Sequence, residues 1–250
     1  MNKLQKFEVM SSFPHVIQAD FEEVFRKDYY LKGKWNELFF KNNNPVVLEL
    51  GCGKGEYAVS LAKRNPDKNY IGIDIKGARM YTGASQAFQE GLKNIAFIRT
   101  HIEMINSFFA QNEISEIWLT FPDPQMSKAR KRLTSTTFLT LYSKFLKQGG
   151  EIHLKTDSKF QFSYTLSLIE ANNFKIIEQF NDVHNQATDE NLLNVKTYYE
   201  ERFMQFGIPI KYCRFIPDFS KPLQEPEKDI PHDEYHNAGR NVRLYKNSAE

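Results

Sequence analysis

Pro45-Val-Val-Leu-Glu-Leu-Gly-Cys-Gly-Lys-Gly-Glu56 decides how the rest of this 250-residue chain is read. Val46 to Leu50 is short, apolar and partly β-branched, and Pro45 stands where a strand would begin, so a buried strand of a parallel sheet is expected. Gly51, Gly53 and Gly55 then make a turn that tolerates positive φ and admits a ligand close to the backbone. Glu56 to Arg64 follows as a helix. Strand, glycine turn and helix form a nucleotide-type site at the carboxyl end of a strand.

Charge selects the ligand. A dinucleotide fingerprint starting at Gly51 wants a small residue at position 56; the chain has Glu56, a carboxylate at the helix end that would receive a pyrophosphate. Glu49 adds a second carboxylate. Phosphate is a poor guest here, whereas S-adenosylmethionine carries a sulfonium and an ammonium that acidic neighbours favour. Asn69 to Asp74 reads as the next strand, and Asp74, 23 positions after Gly51, can accept both ribose hydroxyls. The pattern Glu49-Leu-Gly-Cys-Gly-Lys-Gly55 resembles the first motif of the class I S-adenosylmethionine-dependent methyltransferases.

Length and a 41% hydrophobic content allow one domain with a full core. The expected segments are an N-terminal arm over residues 1–44, a methyltransferase domain over 45–216 and a charged, loosely packed extension over 217–250. Seven aromatics from Phe21 to Phe40 indicate that the arm packs on the domain or on its substrate. Cys52 and Cys213 make no disulfide framework, and Cys52 is read as a packing residue. No apolar run reaches membrane-span length and the N-terminus lacks a signal-peptide core, so a cytoplasmic protein is expected, with no membrane and no obligate protein partner. A net charge of +2 does not by itself announce a nucleic acid, but Lys128, Arg130, Lys131 and Arg132 fall within five residues.

Further strands are expected at 95–98, 114–120, 151–156, 174–180 and 210–215, with helices at 76–90, 134–146 and 158–171. Together they predict an α/β fold: a doubly wound, mostly parallel, seven-stranded Rossmann-like sheet whose last strand is antiparallel. Thr100-His-Ile-Glu103 follows the third strand, where His101 or Glu103 can read an adenine amine, and Glu103 can equally serve its own helix turn. Phe121-Pro-Asp-Pro124 follows the fourth; its prolines fix the backbone around Asp123 and remove competing N–H donors. Asp157 ends the fifth strand, and Thr197-Tyr-Tyr-Glu200 suits a capping box. His232-Asp-Glu-Tyr-His236 could pair two histidines, but Pro231 and the charged surroundings favour a solvated loop, so no metal is expected.

The glycine motif, Phe121-Pro-Asp-Pro124 with Lys128 to Arg132, Lys155-Thr-Asp157, and Thr197-x-x-Glu200 followed by Gly207 together resemble the bacterial tRNA (guanine-N7)-methyltransferase family, which modifies guanosine 46 of the variable loop. The resemblance implies tRNA as partner and S-adenosylmethionine as cofactor. It implies that Glu49, Gly51, Gly53, Gly55, Asp74 and Glu103 bind the cofactor, and that Asp123 serves both cofactor and catalysis. Lys128, Asp157, Thr197 and Glu200 would contact the guanosine or its backbone, while Arg130, Lys131 and Arg132 would hold phosphates. The chain departs from the family pattern at Gln125, which replaces a tryptophan, and in spacing, so that Ser127 or Lys128 fills the substrate-lysine position. The family's Asp or Asn after the third strand is also absent. An amino-group methyltransferase, whose usual Asp/Asn-Pro-Pro-Tyr/Phe order is not found here, and an inactive tRNA-binding protein are the rival readings.

Overall fold

The computed structural model describes residues 1–186, 193, 195, 200 and 207–233. In chain order the helices are α1 (Lys3–Ser11), α2 (Phe21–Val24), α3 (Glu56–Arg64), α4 (Gly77–Gln89), α5 (Thr136–Tyr142), α6 (Lys159–Ala171) and α7 (Val183–Gln186). The strands are β1 (Val16–Ile17), β2 (Val46–Leu50), β3 (Asn69–Asp74), β4 (Ile95–Arg99), β5 (Ile114–Thr120), β6 (Leu146–Thr156), β7 (Lys175–Phe180) and β8 (Lys211–Ile216). A wide-turned helix spans Trp35–Phe40, and short 3₁₀ turns span Ile102–Ser107 and Ala129–Lys131. No helix among the described residues is long and apolar enough to cross a membrane.

The eight strands form one sheet in the order β1-β4-β3-β2-β5-β6-β8-β7. β1 to β6 pair in parallel, and β8 lies antiparallel between β6 and β7. The class is the one expected from the sequence, and the strand count rises from seven to eight because Val16 and Ile17 pair with Phe97 and Ile98. All five residues of β2 are buried, as a central parallel strand covered on both faces requires. Alternation sends Leu48 and Leu50 into one core and Val47 into the other. The order reverses between β2 and β5, which places the ligand-binding crevice of such a sheet above their carboxyl ends.

The arm is part of both cores. Met10 and Phe13 join the core beneath α3 and α4, while Ile17, Val24, Leu31, Trp35 and Phe40 join the other. The Trp35 indole N–H donates to the Phe108 carbonyl at 2.9 Å, which fixes the wide-turned helix beneath the sheet.

Two segments differ from expectation. α5 stops at Tyr142 rather than running to Leu146, because Phe145 is fully buried and its carbonyl accepts the Glu113 and Ile114 N–H groups at the start of β5. Burial and strand pairing there outweigh local helix preference. β6 begins at Leu146 rather than at 151, and Gly149 lies at φ +73° within it, where the register against β5 shifts.

The C-terminal segment, expected to be loosely packed, is a strap over α5 and α6 as far as residue 233. Phe219, Leu223 and Ile230 pack on the core. Glu225 accepts from the Thr136 N–H at 3.0 Å, the Thr136 hydroxyl at 2.6 Å and the Tyr164 hydroxyl at 2.6 Å. Asp233 accepts from the Ser158 hydroxyl at 2.7 Å and the Phe160 N–H at 2.8 Å. Two carboxylates of the strap therefore sit at two helix N-termini, where unpaired N–H groups and the helix dipole favour negative charge. His232 meets the Phe160 ring edge-on, and His236 lies outside the described residues.

Candidate active site

The glycine turn closes on its neighbours through backbone bonds. The Gly51 and Cys52 N–H groups donate to the Ile73 carbonyl, and the Gly53 N–H donates to Asp74 Oδ2 at 2.9 Å. Asp74 Oδ1 takes the Lys76 N–H at 2.6 Å, so this carboxylate is aimed from both sides at the end of β3. Gly53 has φ +55°, and a Cβ there would meet nothing closer than the Gly51 carbonyl at 4.0 Å, leaving that side of the turn open to a ligand. Gly55 has the opposite surroundings. It is buried, and a Cβ would strike the Phe97 ring at 2.6 Å. Its role is to let α4 approach: the Gly83 N–H donates to the Lys54 carbonyl at 2.7 Å. Cys52 is buried and burial pushes its thiol well up, as a packing residue requires.

Glu49 is 4% exposed and braces the site from below. It accepts from the Ala58 N–H at 2.9 Å and from the Thr120 hydroxyl at 2.6 Å. It thereby ties the first turn of α3 to the last residue of β5. Burial raises its carboxyl to about 7, against the lowering effect of those two hydrogen bonds.

Three residues beyond Thr120, Asp123 is exposed between the buried rings of Pro122 and Pro124. Phe121 (φ 49°) and Gln125 (φ 47°) flank it in the left-handed region, which costs non-glycine residues of order 1–3 kcal/mol each. The Phe121 N–H donates to the Lys155 carbonyl at 2.8 Å, and the Gln125 N–H donates to Asp123 Oδ1 at 3.1 Å.

Arg132 holds this loop from the other side. It was expected to contact phosphate with Arg130 and Lys131, but only those two and Lys128 are exposed. Arg132 is 8% exposed, donates to the carbonyls of Gln125 at 3.3 Å and Met126 at 2.6 Å, and stacks on Phe160 and Tyr164 at 4.7 and 4.4 Å. An arginine fork suits two neighbouring carbonyls, and aromatic faces receive its plane.

Asp157, at the end of β6, is 7% exposed, and its Oδ1 has no hydrogen-bond partner among the described residues. Burial, with Asp233 nearby, raises its carboxyl to about 7. Glu200, expected to contact the guanosine, is instead fully buried in an ion pair with Lys155 at 2.8 Å, with His184 at 3.0 Å from its other oxygen. Lys155 also donates to the Leu193 and Val195 carbonyls, and burial lowers its pKa against the pull of Glu200. Such a pair carries a desolvation cost that argues for a structural post rather than an adaptable ligand group. Thr197 lies outside the described residues. His101 and Glu103 are both exposed at the start of the 3₁₀ turn after β4, and the geometry leaves both able to face a ligand.

Sequence reasoning missed Thr120, Lys155, His184 and Asp233. Lys155 had a visible signal, a cation next to Leu154 near the end of a strand, which calls for a partner once the strand is buried.

Residues 43–213 match a family model described as "Putative methyltransferase". A protein of Bacteroides fragilis (strain YCH46) named tRNA (guanine-N(7)-)-methyltransferase is 50% identical over 242 residues, covering 97% of this chain and 96% of its own length. Proteins of the same name from Christiangramia forsetii and Listeria welshimeri are 52% and 37% identical, covering 86% and 72% of this chain and 97% and 83% of their own lengths. Among solved structures, the 16S rRNA methyltransferase KamB superposes with a TM-score of 0.58 at 14% identity, covering 77% of this chain and 96% of that one, a likeness of fold. The glycine turn, the clamped Pro-Asp-Pro loop and the match along nearly the whole chain lead to one assignment: this chain belongs to the tRNA (guanine-N7)-methyltransferase family.

Proposed function

We propose that the chain transfers the methyl group of S-adenosylmethionine to N7 of a guanosine in tRNA, at position 46 of the variable loop, in the cytoplasm. The observation that carries this reading is the rigid placement of Asp123. An exposed carboxylate is held at the strand-order reversal by two prolines, two left-handed residues and the Arg132 clamp, with Lys128, Arg130 and Lys131 exposed beside it.

The residues fit the cofactor. The open side of Gly53 admits a ligand against the backbone, and the Lys54 ammonium of the turn lies 3.8 Å from Glu56 Oε1. Asp74 keeps one lone-pair direction free on each oxygen after accepting its two N–H groups, enough for two ribose hydroxyls. Gly51 and Gly53 would line the backbone side, and Glu103 or His101 would face the adenine. Glu49 acts from beneath, through the position of α3 and Thr120 and through its charge. When bound, the cofactor supplies an electrophilic methyl on a positively charged sulfur.

Guanine N7 has an in-plane lone pair and needs no deprotonation, so alignment matters more than a base. Methyl transfer to N7 would call for no side chain to take a proton and would leave the purine cationic. Asp123 is a preorganised negative charge where that positive charge develops. Asp157 offers the unpartnered Oδ1 to a guanine N–H, Lys128 stands at the mouth, and Arg130 and Lys131 meet backbone phosphates. Glu200 and Lys155 keep the floor of the site in place.

The test is incubation of bulk tRNA with labelled cofactor and the wild-type chain, followed by nucleoside analysis. Label in 7-methylguanosine is expected. Label in another nucleoside, or none, rejects the assignment.

A further inference from the structure

A cavity of about 380 Å³ opens between α1 and the start of α4, beyond Asp74 on the side of the sheet away from the Pro-Asp-Pro loop. Lys3, Phe7, Lys76, Arg79 and Arg99 line it, together with the backbone turn from Ile75 to Ala78. Four of these side chains are cationic and no carboxylate lines the cavity. Arg99, at the end of β4, rests its guanidinium on the Phe7 ring at 4.6 Å. Its Nε is buried and finds no acceptor among the described residues. No carboxylate among the described residues pairs with its guanidinium, so this charge is left for an anion from outside the chain.

The backbone adds to this charge. α4 is thirteen residues long, its N-cap Lys76 makes no side-chain capping bond, and no acidic residue occupies its first turn. α5 and α6 have carboxylates of the strap at the same place. The start of α4 is thus left positive by sequence as well as by dipole. Phe7 and the aliphatic stems of the cations give the cavity apolar walls, a low-dielectric setting that strengthens its pull on an anion.

The proposed cofactor has no phosphate, so these four cations are not explained by it. We propose that the cavity holds a phosphate of the RNA backbone and is a second anchor for the tRNA whose guanosine is methylated. This rests on the functional reading above. Three strand spacings separate the ends of β4 and β5, about 14 Å at ~4.8 Å per spacing. A folded RNA bridges that distance, so its backbone can meet the α1–α4 cavity and the Lys128 to Lys131 run together. The cofactor crevice lies between the two contacts.

The experiment uses the full chain, a fluorescently labelled tRNA transcript and a series of salt concentrations. Lys3→Glu and Arg79→Glu change exposed side chains outside the cofactor and catalytic groups, and Arg79→Gln is a milder companion. Each reversal is expected to weaken tRNA binding about tenfold and to flatten the dependence of log Kd on log salt by about one unit. Cofactor affinity, the melting temperature and the rate at saturating tRNA should stay at wild-type values. Wild-type tRNA affinity and salt slope in all three folded variants, with normal 7-methylguanosine formation, would overturn the anchor and leave the reaction standing. Loss of binding to inorganic phosphate alone, with tRNA binding intact, would overturn it equally and mark a free-anion site. If the wild-type chain made no 7-methylguanosine while tRNA binding and its response to Arg79→Glu persisted, the reaction would fall and the anchor would remain.

Discussion

The Arg132 guanidinium lies 2.6 Å from the Met126 carbonyl, so the last residue of the basic run fastens the loop that carries Asp123. Its stacking on Phe160 and Tyr164 extends the connection to α6, and Glu225 extends it from Tyr164 to the C-terminal strap. Asp123 itself is exposed, so its position depends on this inward-facing arginine and on the two prolines.

Arg132→Ala should therefore reduce kcat by about tenfold or more while leaving cofactor affinity unchanged, and should lower stability by about 1.5–3 kcal/mol, the range for a hydrogen bond to a charged group. Arg132→Lys should recover little of the kcat loss, because an ammonium cannot reproduce the fork or the stacking. Steady-state kinetics and denaturant melts on both variants check this. A pure loss of tRNA affinity, with kcat intact, would return Arg132 to the phosphate contacts.

Asp123→Asn keeps the loop's size and its prolines but removes the fixed charge. Turnover should fall about 10²–10³-fold, the scale seen when a preorganised electrostatic group is lost, with an unchanged melting temperature. Single-turnover rates at saturating tRNA measure this, and near-normal turnover would remove Asp123 from the mechanism.

Glu49 makes the apo protein sensitive to pH. Its folded value near 7 lies above the ordinary 4.5, so its contribution to stability is fully present below about 4.5 and is lost as pH rises through 7. The loss is on the order of 3 kcal/mol, at 1.36 kcal/mol per pKa unit. Glu49→Gln should therefore flatten the fall in melting temperature between about pH 5 and 7. A cationic cofactor favours the ionised form, so its wild-type affinity should tighten as pH rises over the same interval, with proton release. Calorimetry in buffers of different ionisation enthalpy reads that release; identical pH profiles for wild type and Glu49→Gln would contradict the account.

Breaking the buried Lys155–Glu200 pair on one side strands a charge. Glu200→Gln should cost about 3–5 kcal/mol, and the double change Lys155→Met with Glu200→Gln should regain part of it. Urea unfolding of both variants gives the comparison. Equal stability of the single variant and the wild type would show the pair to be dispensable.

Much of the sheet was legible because strands buried on both faces leave an apolar signature, and β2, α3, β3 and β5 fall where residue pattern and glycine placement put them. Asp74 and Asp123 were legible as carboxylates at strand ends. What pattern could not convey was direction. Arg132 looks like its neighbours Arg130 and Lys131 in sequence, yet two carbonyls seventh and sixth before it, and two rings on α6, turn it inward. Glu200 likewise reads as a ligand group until Lys155, distant in sequence, is found beside it. The extension after Ile216 misled for a related reason: its proline and charge suggest solvent, while its carboxylates have helix N–H groups to receive them.

That strap also controls where a polyanion is welcome. The amino ends of α5 and α6 would draw phosphates by their own polarity, and Glu225 and Asp233 fill both with acid drawn from the same polypeptide. A phosphate is thereby left no vacant amino end on α5 or α6.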